Sequence, residues 1–167
     1  MRLRRRYIAV AAAAAALATP ASGASVTAQA KAKVVKPLTL KAIQDLDLGT
    51  LVLGPGDWSG ASVSLSPDGV LTCGANLTCS GATQPAIYNI AGSNGQTATI
   101  QAPDVTLVNL SDPSKTLILA VDGPASITLT NSGAKGVDFP LGGSISVDST
   151  TAGGEYLGTF EVTAEYQ

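Results

Sequence analysis

The stretch GEYLGTFEVTAEYQ, residues 154–167, alternates apolar and polar side chains up to the last residue of the sequence. Successive side chains of a strand point to opposite faces, so the pattern predicts one long strand over residues 155–166 with an apolar and a mostly polar face. The apolar face consists of Tyr156, Gly158, Phe160, Val162, Ala164 and Tyr166. A long strand with an uncovered edge attracts other strands, so this edge needs a partner.

The sequence before this stretch is a series of short alternating runs separated by turn signals such as Pro67-Asp68-Gly69, Ser93-Asn94-Gly95, Asn131-Ser132-Gly133 and Gly142-Gly143. Many short strands with regularly spaced turns are typical of an all-β domain, a β-sandwich or a barrel. The predicted strands lie near 34–40, 46–53, 61–66, 69–73, 85–91, 96–101, 105–110, 115–121, 125–130, 143–148 and 155–166.

Residues 1–24 have the layout of a secretory signal peptide, with four arginines at 2–6, an apolar run at 7–18 and small residues after Pro20. The apolar run is shorter than the roughly 20 residues that a membrane-spanning helix needs. Cleavage fits best after Ala24. We therefore expect an exported protein, with an N-terminal extension at 25–36 and one domain at 37–167.

The charge balance argues against a nucleic-acid partner. The whole sequence has a net charge of −2, and four of its ten basic residues lie in the predicted signal peptide. Six lysines then face twelve acidic residues, a mature net charge of −6. An acidic chain has no basic face for nucleic acid or a membrane surface, and no later segment is apolar enough to span a membrane.

Cys73 and Cys79 are the two cysteines of the chain. In an oxidising compartment two cysteines this close are expected to form a structural disulfide. A redox or metal pair is the alternative, but the spacing is unusual for a redox motif and no histidine is present to complete a zinc site.

Catalysis has little support in the sequence. Without histidine a Ser-His-Asp triad is impossible. Asp45 and Asp47 could form a pair of catalytic acids, but we favour a strand with Leu46 and Leu48 inward and both acids in solvent. Trp58 could bind a sugar, but a lone tryptophan more often fills a core. We expect no enzyme activity, no cofactor and no metal.

The terminal stretch resembles the end of chaperone–usher pilin subunits, which carry a glycine fourteen positions from the terminus and a tyrosine second from last. Gly154 and Tyr166 occupy those positions here. The resemblance implies an incomplete immunoglobulin-like β-sandwich, completed by a donated strand. It also implies that the terminal strand lines the acceptor groove, through Gly154, Tyr156, Gly158, Phe160, Val162, Ala164 and Tyr166.

The donor strand is expected at the opposite end of the mature chain. Residues 26–35 alternate like a strand. The apolar positions are Val26, Ala28, Ala30, Ala32 and Val34. The alternative is an alanine-rich tail without fixed structure that remains after the signal peptide is removed.

A second resemblance covers most of the mature chain. The order VVKPLTLKAIQDLDLGTLVLG, SPDG, the cysteine pair and GEYLGTFEVTAEYQ is similar to a family of small exported Gram-negative proteins catalogued as a domain of unknown function. One feature departs from standard pilins, whose disulfide ties the first strand to a following one, whereas Cys73 and Cys79 would close a local loop.

These features predict a structural subunit of a surface fibre, a pilus or fimbria, assembled by strand donation. The resemblance implies as partners copies of the chain or related subunits, a periplasmic chaperone and an outer-membrane usher. It also implies that the exported protein passes through the periplasm to the cell surface. The alternative is a monomeric secreted binding domain, for example a carbohydrate binder, whose own N-terminal strand completes the sandwich.

Overall fold

The structure is a computed structural model that describes residues 23–130 and 135–167. The predicted signal peptide, apart from residues 23 and 24, and the predicted turn at residues 131–133 lie outside the described residues. The chain divides into two units, residues 1–33 and residues 34–167. In the first unit, residues 23–33 are exposed and lie in no strand.

The described part of residues 34–167 is all-β and contains no helix, as the sequence predicts. The strands are β1 (Thr39–Gln44), β2 (Thr50–Leu53), β3 (Ala61–Leu65), β4 (Leu71–Cys73), β5 (Leu77–Ser80), β6 (Ala86–Ala91), β7 (Thr97–Gln101), β8 (Val105–Asn109), β9 (Thr116–Asp122), β10 (Ser126–Thr128), β11 (Val137–Val147), β12 (Tyr156–Leu157) and β13 (Thr163–Tyr166).

The strands form three antiparallel sheets. Eight strands make a curled sheet in the order β1-β6-β11-β9-β8-β12, with β3 paired to β11 and β4 paired to β3. A second sheet has the order β10-β7-β13, and a third consists of β2 and β5. The curled sheet and the two smaller sheets are compatible with an incomplete β-sandwich.

Two hydrophobic cores lie between the sheets. The first includes Ile90, Leu129 and Leu141, and the partly buried end of the chain packs against it. The second is formed by Val63, Leu119 and Ile145, with β2, β5 and Trp58 packed against it. Inward residues on one face of each strand build these cores, as expected for strands with one face in solvent.

Strand β11 corrects the predicted turn at Gly142-Gly143. Its residues 137–141 pair with β6, and its residues 143–147 pair with β3. The two glycines lie within the strand, where neighbouring segments of the same chain approach closely. A Cβ atom on Gly142 would lie 2.8 Å from the backbone nitrogen of Pro67, and one on Gly143 would lie 2.8 Å from Leu119 Cδ1. Glycine here permits close packing rather than a reversal of the chain.

Other strand boundaries also differ from the predicted ones. The first strand is Thr39–Gln44 rather than 34–40, and β5 was not predicted. The terminal stretch forms two short strands, β12 and β13, rather than one, because β12 pairs with β8 of the large sheet and β13 pairs with β7 of the three-stranded sheet.

Candidate strand-acceptor site

The terminal segment keeps its two-residue alternation of burial although it changes sheets. All six residues of its predicted apolar face from Tyr156 to Tyr166 are half-buried, and the residues between them are exposed. None of the six is fully buried, in contrast to Val63 of β3, which is wholly inaccessible. The segment therefore presents an apolar face that is packed on one side and still partly open.

The half-buried side chains from residue 160 onward belong to the edge of the first core. Phe160, Val162 and Ala164 all pack against this core. The ring centroid of Phe160 lies 6.3 Å from that of Tyr88, and Tyr88 stacks on Phe139 at 5.8 Å. Burial raises the pKa of the Tyr88 hydroxyl, and nearby Asp45 raises it further. This aromatic row supports the middle of the terminal segment.

Strand β13 is an edge strand, because its sole strand partner in the described structure is β7. The amide of Gln167 donates to the carbonyl of Thr97 at 3.1 Å. In this register the backbone N–H and C=O groups of the odd-numbered residues of β13 point toward β7. On the other side of β7, the Ile100 amide donates to the Ala125 carbonyl at 2.9 Å, toward β10. Backbone groups alternate direction along a strand, so those of Ala164 and Tyr166 point away from β7 to the free edge.

One end of this edge is fixed by the Tyr166 hydroxyl. It donates to the carbonyl oxygen of Lys36 at 2.7 Å and accepts a hydrogen bond from the amide of Ser93 at 2.8 Å. The Lys36 amide donates in turn to Ser93 Oγ at 2.6 Å. Tyr166 thus ties the end of β13 to the segment that enters β1 and to the loop after β6.

The other end of the segment is fixed by Asn109, which sequence reasoning missed. Asn109 is the one fully buried polar side chain among the described residues. Its Nδ2 donates to the Gly153 carbonyl at 3.1 Å, and its Oδ1 accepts from the Ser111 amide at 2.8 Å and the Asp112 amide at 3.1 Å. The neighbouring Asp112-Pro113 turn is a signal that could have pointed to a turn-capping asparagine.

Gly154 lies against this asparagine with a positive φ of 144°. A Cβ atom there would lie 2.8 Å from Asn109 Oδ1. Gly154 is exposed and contributes no side chain to the apolar face. Its place in the site is to let the chain pass Asn109 before β12 begins.

The predicted donor residues Val26, Ala28, Ala30, Ala32 and Val34 are exposed and lie in no strand. The side chain of Val26 is 94% exposed and that of Val34 is 92% exposed. Their backbone is therefore not paired within the described sheets.

The disulfide between Cys73 and Cys79 is present, which confirms the predicted pairing. Their Cα atoms are 6.0 Å apart, and the six-residue separation includes Asn76 with a positive φ of 63°. Cys73 belongs to β4 of the large sheet and Cys79 to β5 of the two-stranded sheet. The bond covalently links these two sheets and fits an oxidising compartment.

The structure gives less support to the two alternative sites that the sequence suggests, the pair of acids and the sugar-binding tryptophan. Asp45 and Asp47 are exposed, while Leu46 and Leu48 pack inward. Trp58 packs against the second core, and its Nε1 donates to the Gly54 carbonyl at 3.1 Å. The indole of Trp58 therefore contributes to core packing and does not form an exposed sugar-binding surface.

Two carboxylates cap turns. The Ser114 hydroxyl and amide donate to Asp112 and lower the pKa of its carboxyl. The Thr150 hydroxyl and amide do the same for Asp148, helped by Thr151. Within the described residues no group of three histidine, cysteine or acidic side chains could hold a metal ion. Nor does this part of the chain contain a helix that could cross a membrane.

No curated protein and no solved structure matches the chain significantly. A family model described as a domain of unknown function, DUF4402, matches residues 38–166, which include every strand of the described structure and the terminal segment up to Tyr166. The chain belongs to the DUF4402 family.

Proposed function

We propose that the protein is a structural subunit of a surface fibre, in which each subunit accepts an extended strand from another along the free edge of β13. The observation that carries the proposal is the terminal segment, whose apolar face is half-buried and whose backbone edge is unpaired among the described strands. An incoming strand would satisfy the free backbone groups and cover the apolar face at once, as in strand addition.

The donor would be the N-terminal segment of a second copy. Its residues from Val26 to Val34 are exposed, unpaired and small at alternate positions. Ten residues, 25–34, extend about 33 Å at 3.3 Å per residue, enough to run beside residues 158–166. Because an open apolar edge aggregates, assembly would need a protecting partner, such as the periplasmic chaperone and usher that the pilin resemblance implies.

The alternative of a monomeric binding domain has less support. Its sugar-binding version depended on Trp58, whose indole packs against the second core. Its self-completed version would place the N-terminal segment on the free edge of the same molecule. The size of the purified protein in native solution separates the two, since a self-completed domain is a single species and a fibre subunit forms ladders.

The substitution Ala164→Pro tests the acceptor edge directly. The amide of Ala164 points to the free edge, so proline removes no bond to β7 and is tolerated as it is on edge strands. The proline ring would nevertheless block an incoming strand. We expect a folded subunit, by circular dichroism, that no longer forms fibres in electron micrographs.

Two control variants make this test specific. Ala164→Ser keeps the amide and should still polymerise. Glu165→Pro removes an amide that faces β7 and should destabilise the subunit itself. A folded Ala164→Pro subunit that polymerises like the parent protein would show that strands are not donated at this edge.

A further inference from the structure

Opposite charges collect in the two segments that strand donation would bring together. Residues 25–36 contain three of the six lysines that lie outside the predicted signal peptide, and no acidic residue. Residues 37–167 contain the other three lysines and all twelve acidic residues, which gives them a net charge of −9. Every glutamate of the chain lies in the terminal segment, residues 154–167, which has no basic residue. The two segments are therefore complementary in charge.

The charged side chains also lie on the faces that strand addition would make neighbours. Glu161 and Glu165 are exposed, on the face of the terminal segment opposite its half-buried apolar residues. Lys31 and Lys33 are exposed as well, and Ala32 between them belongs to the apolar face of the predicted donor. When the apolar face of a donor packs toward the first core, its lysines point to the outer side, where the glutamates lie. A slip of one residue would turn the lysines inward instead.

We propose that the two lysines of one copy pair with the two glutamates of the next, and that this charge pairing selects the donor segment for its acceptor edge. The inference rests on the proposed function and adds the contacts that choose the partner. In an antiparallel register with Lys33 opposite Glu161, Lys31 lies opposite Thr163 and diagonal to both glutamates. Opposite Cβ atoms are about 5 Å apart and diagonal ones about 7–8 Å, within reach of a lysine side chain.

The pairing acts on partner choice and association rate more than on the strength of the finished contact. Exposed ion pairs add little stability, but complementary charge speeds encounter and disfavours wrong partners. Two acidic domains repel each other, so the basic extension is the part of a second copy that this acidic edge attracts. An extension without positive charge would lack this attraction, and an acidic one would be repelled.

The test uses two charge-reversed variants of the whole exported chain, Lys31→Glu with Lys33→Glu, and Glu161→Lys with Glu165→Lys. All four positions are exposed, so both variants should keep the urea midpoint of the parent protein. Each variant alone brings like charges together, and we expect its fibres to elongate at least roughly tenfold more slowly than parental fibres. Light scattering measures elongation, and electron microscopy verifies the fibres.

An equimolar mixture of the two variants is the decisive sample. The donor of each variant matches the acceptor edge of the other, so the mixture should elongate at close to the parental rate. Mass spectrometry of these fibres should find both variants in equal amounts. A loss caused by damage to either segment would not be restored by mixing.

A matched control changes the same charges elsewhere. Lys41→Glu with Lys115→Glu replaces two exposed lysines outside both segments and should elongate at close to the parental rate. If charge reversal unfolds the acceptor variant, Glu161→Gln with Glu165→Gln takes its place. We expect this neutral variant to elongate more slowly than the parent protein, and a parental rate would overturn the charge pairing.

The outcomes separate this inference from the proposed function. Parent protein that forms no fibres would contradict the proposed function, and the charge pairing with it. Parental fibres together with reversed variants that elongate like the parent would overturn the charge pairing and leave strand donation standing. Folded variants that fail alone and also fail when mixed, or a control variant that is slowed equally, would overturn it as well.

Discussion

At the scale of single residues, two polar side chains fix the course of the terminal segment. Asn109 holds the Gly153 carbonyl at its beginning, and the Tyr166 hydroxyl holds Lys36 and Ser93 at its end. Between these anchors the segment has few backbone bonds, since residues 158–162 lie in no strand. Side-chain packing of Phe160 and Val162 on the first core therefore holds its middle.

Substitutions at adjacent residues test this packing. Val162→Gln would place an amide against the first core and should lower the free energy of unfolding by about 1–3 kcal/mol. Thr163→Gln makes the same kind of change on the exposed face and should alter the free energy of unfolding by less than about 0.5 kcal/mol. Urea denaturation of the two variants measures both values. Equal losses would mean that both faces of the segment are covered.

The face on which each terminal residue lies was predictable from the sequence, because the two-residue period of a strand is simple and Tyr156 to Tyr166 follow it without a break. Asn109 was not predictable from this pattern, since alternation treats a polar residue as an outward one. The side chain is buried because three backbone groups, at Gly153, Ser111 and Asp112, satisfy its amide. Such compensation depends on contacts distant in sequence.

At the scale of elements, β11 shows where local signals mislead. Gly142-Gly143 predicts a turn, yet both residues lie inside the longest strand. A pair of glycines can mark either a reversal or a close approach of backbones, and the surrounding strands that decide between them cannot be read from a short window. Strand β5 was missed for a related reason, because its four residues include Cys79 and follow a tight loop.

Deletion of residues 25–34 tests the donor element. These residues are exposed and lie in no strand, so the remaining domain should keep its urea midpoint. Fibre formation should be lost, because no strand is left to donate. A synthetic peptide with the sequence of residues 25–34 should then bind the truncated subunit with one-to-one stoichiometry, measured by calorimetry.

A peptide with Ala30→Asp is the control, since a charge facing the groove should prevent its binding. If the truncated domain unfolds, the segment completes its own molecule rather than another. If the truncated domain still forms fibres, the donor lies elsewhere in the chain.

At the scale of the whole molecule, two cores and one disulfide hold three sheets together. Hydrophobic burial supplies most of the stability, and two carboxylates at turns add to it. Asp112 and Asp148 both have carboxyl pKa values below the ordinary 3.8, because nearby hydroxyl and amide groups donate to them. Such groups stabilise the fold when they are ionised.

Acid should therefore weaken the fold in a defined window. The contribution of the two carboxylates is complete above pH 3.8, the ordinary value, and is lost as the pH falls through their lower pKa values in the folded state. We expect the urea midpoint to fall on acidification below about pH 4. The double variant Asp112→Asn, Asp148→Asn keeps an acceptor oxygen at each position but has no carboxyl group to titrate there. Its urea midpoint should therefore fall less on acidification. An unchanged acid dependence in the double variant would assign the effect to other carboxylates.

The bond from Tyr166 to Lys36 sets a polarity for the proposed assembly. Lys36 is held at the C-terminal end of β13, so a segment that folded back from Lys36 along its own β13 would have to run parallel to that strand. Parallel pairs are slightly less stable per residue than antiparallel ones. A segment from another molecule is free to enter in the antiparallel direction. Each copy would then donate its extension to one neighbour and receive the extension of another along the free edge of β13. Such a head-to-tail contact grows into an open filament when the rotation between copies does not close a ring.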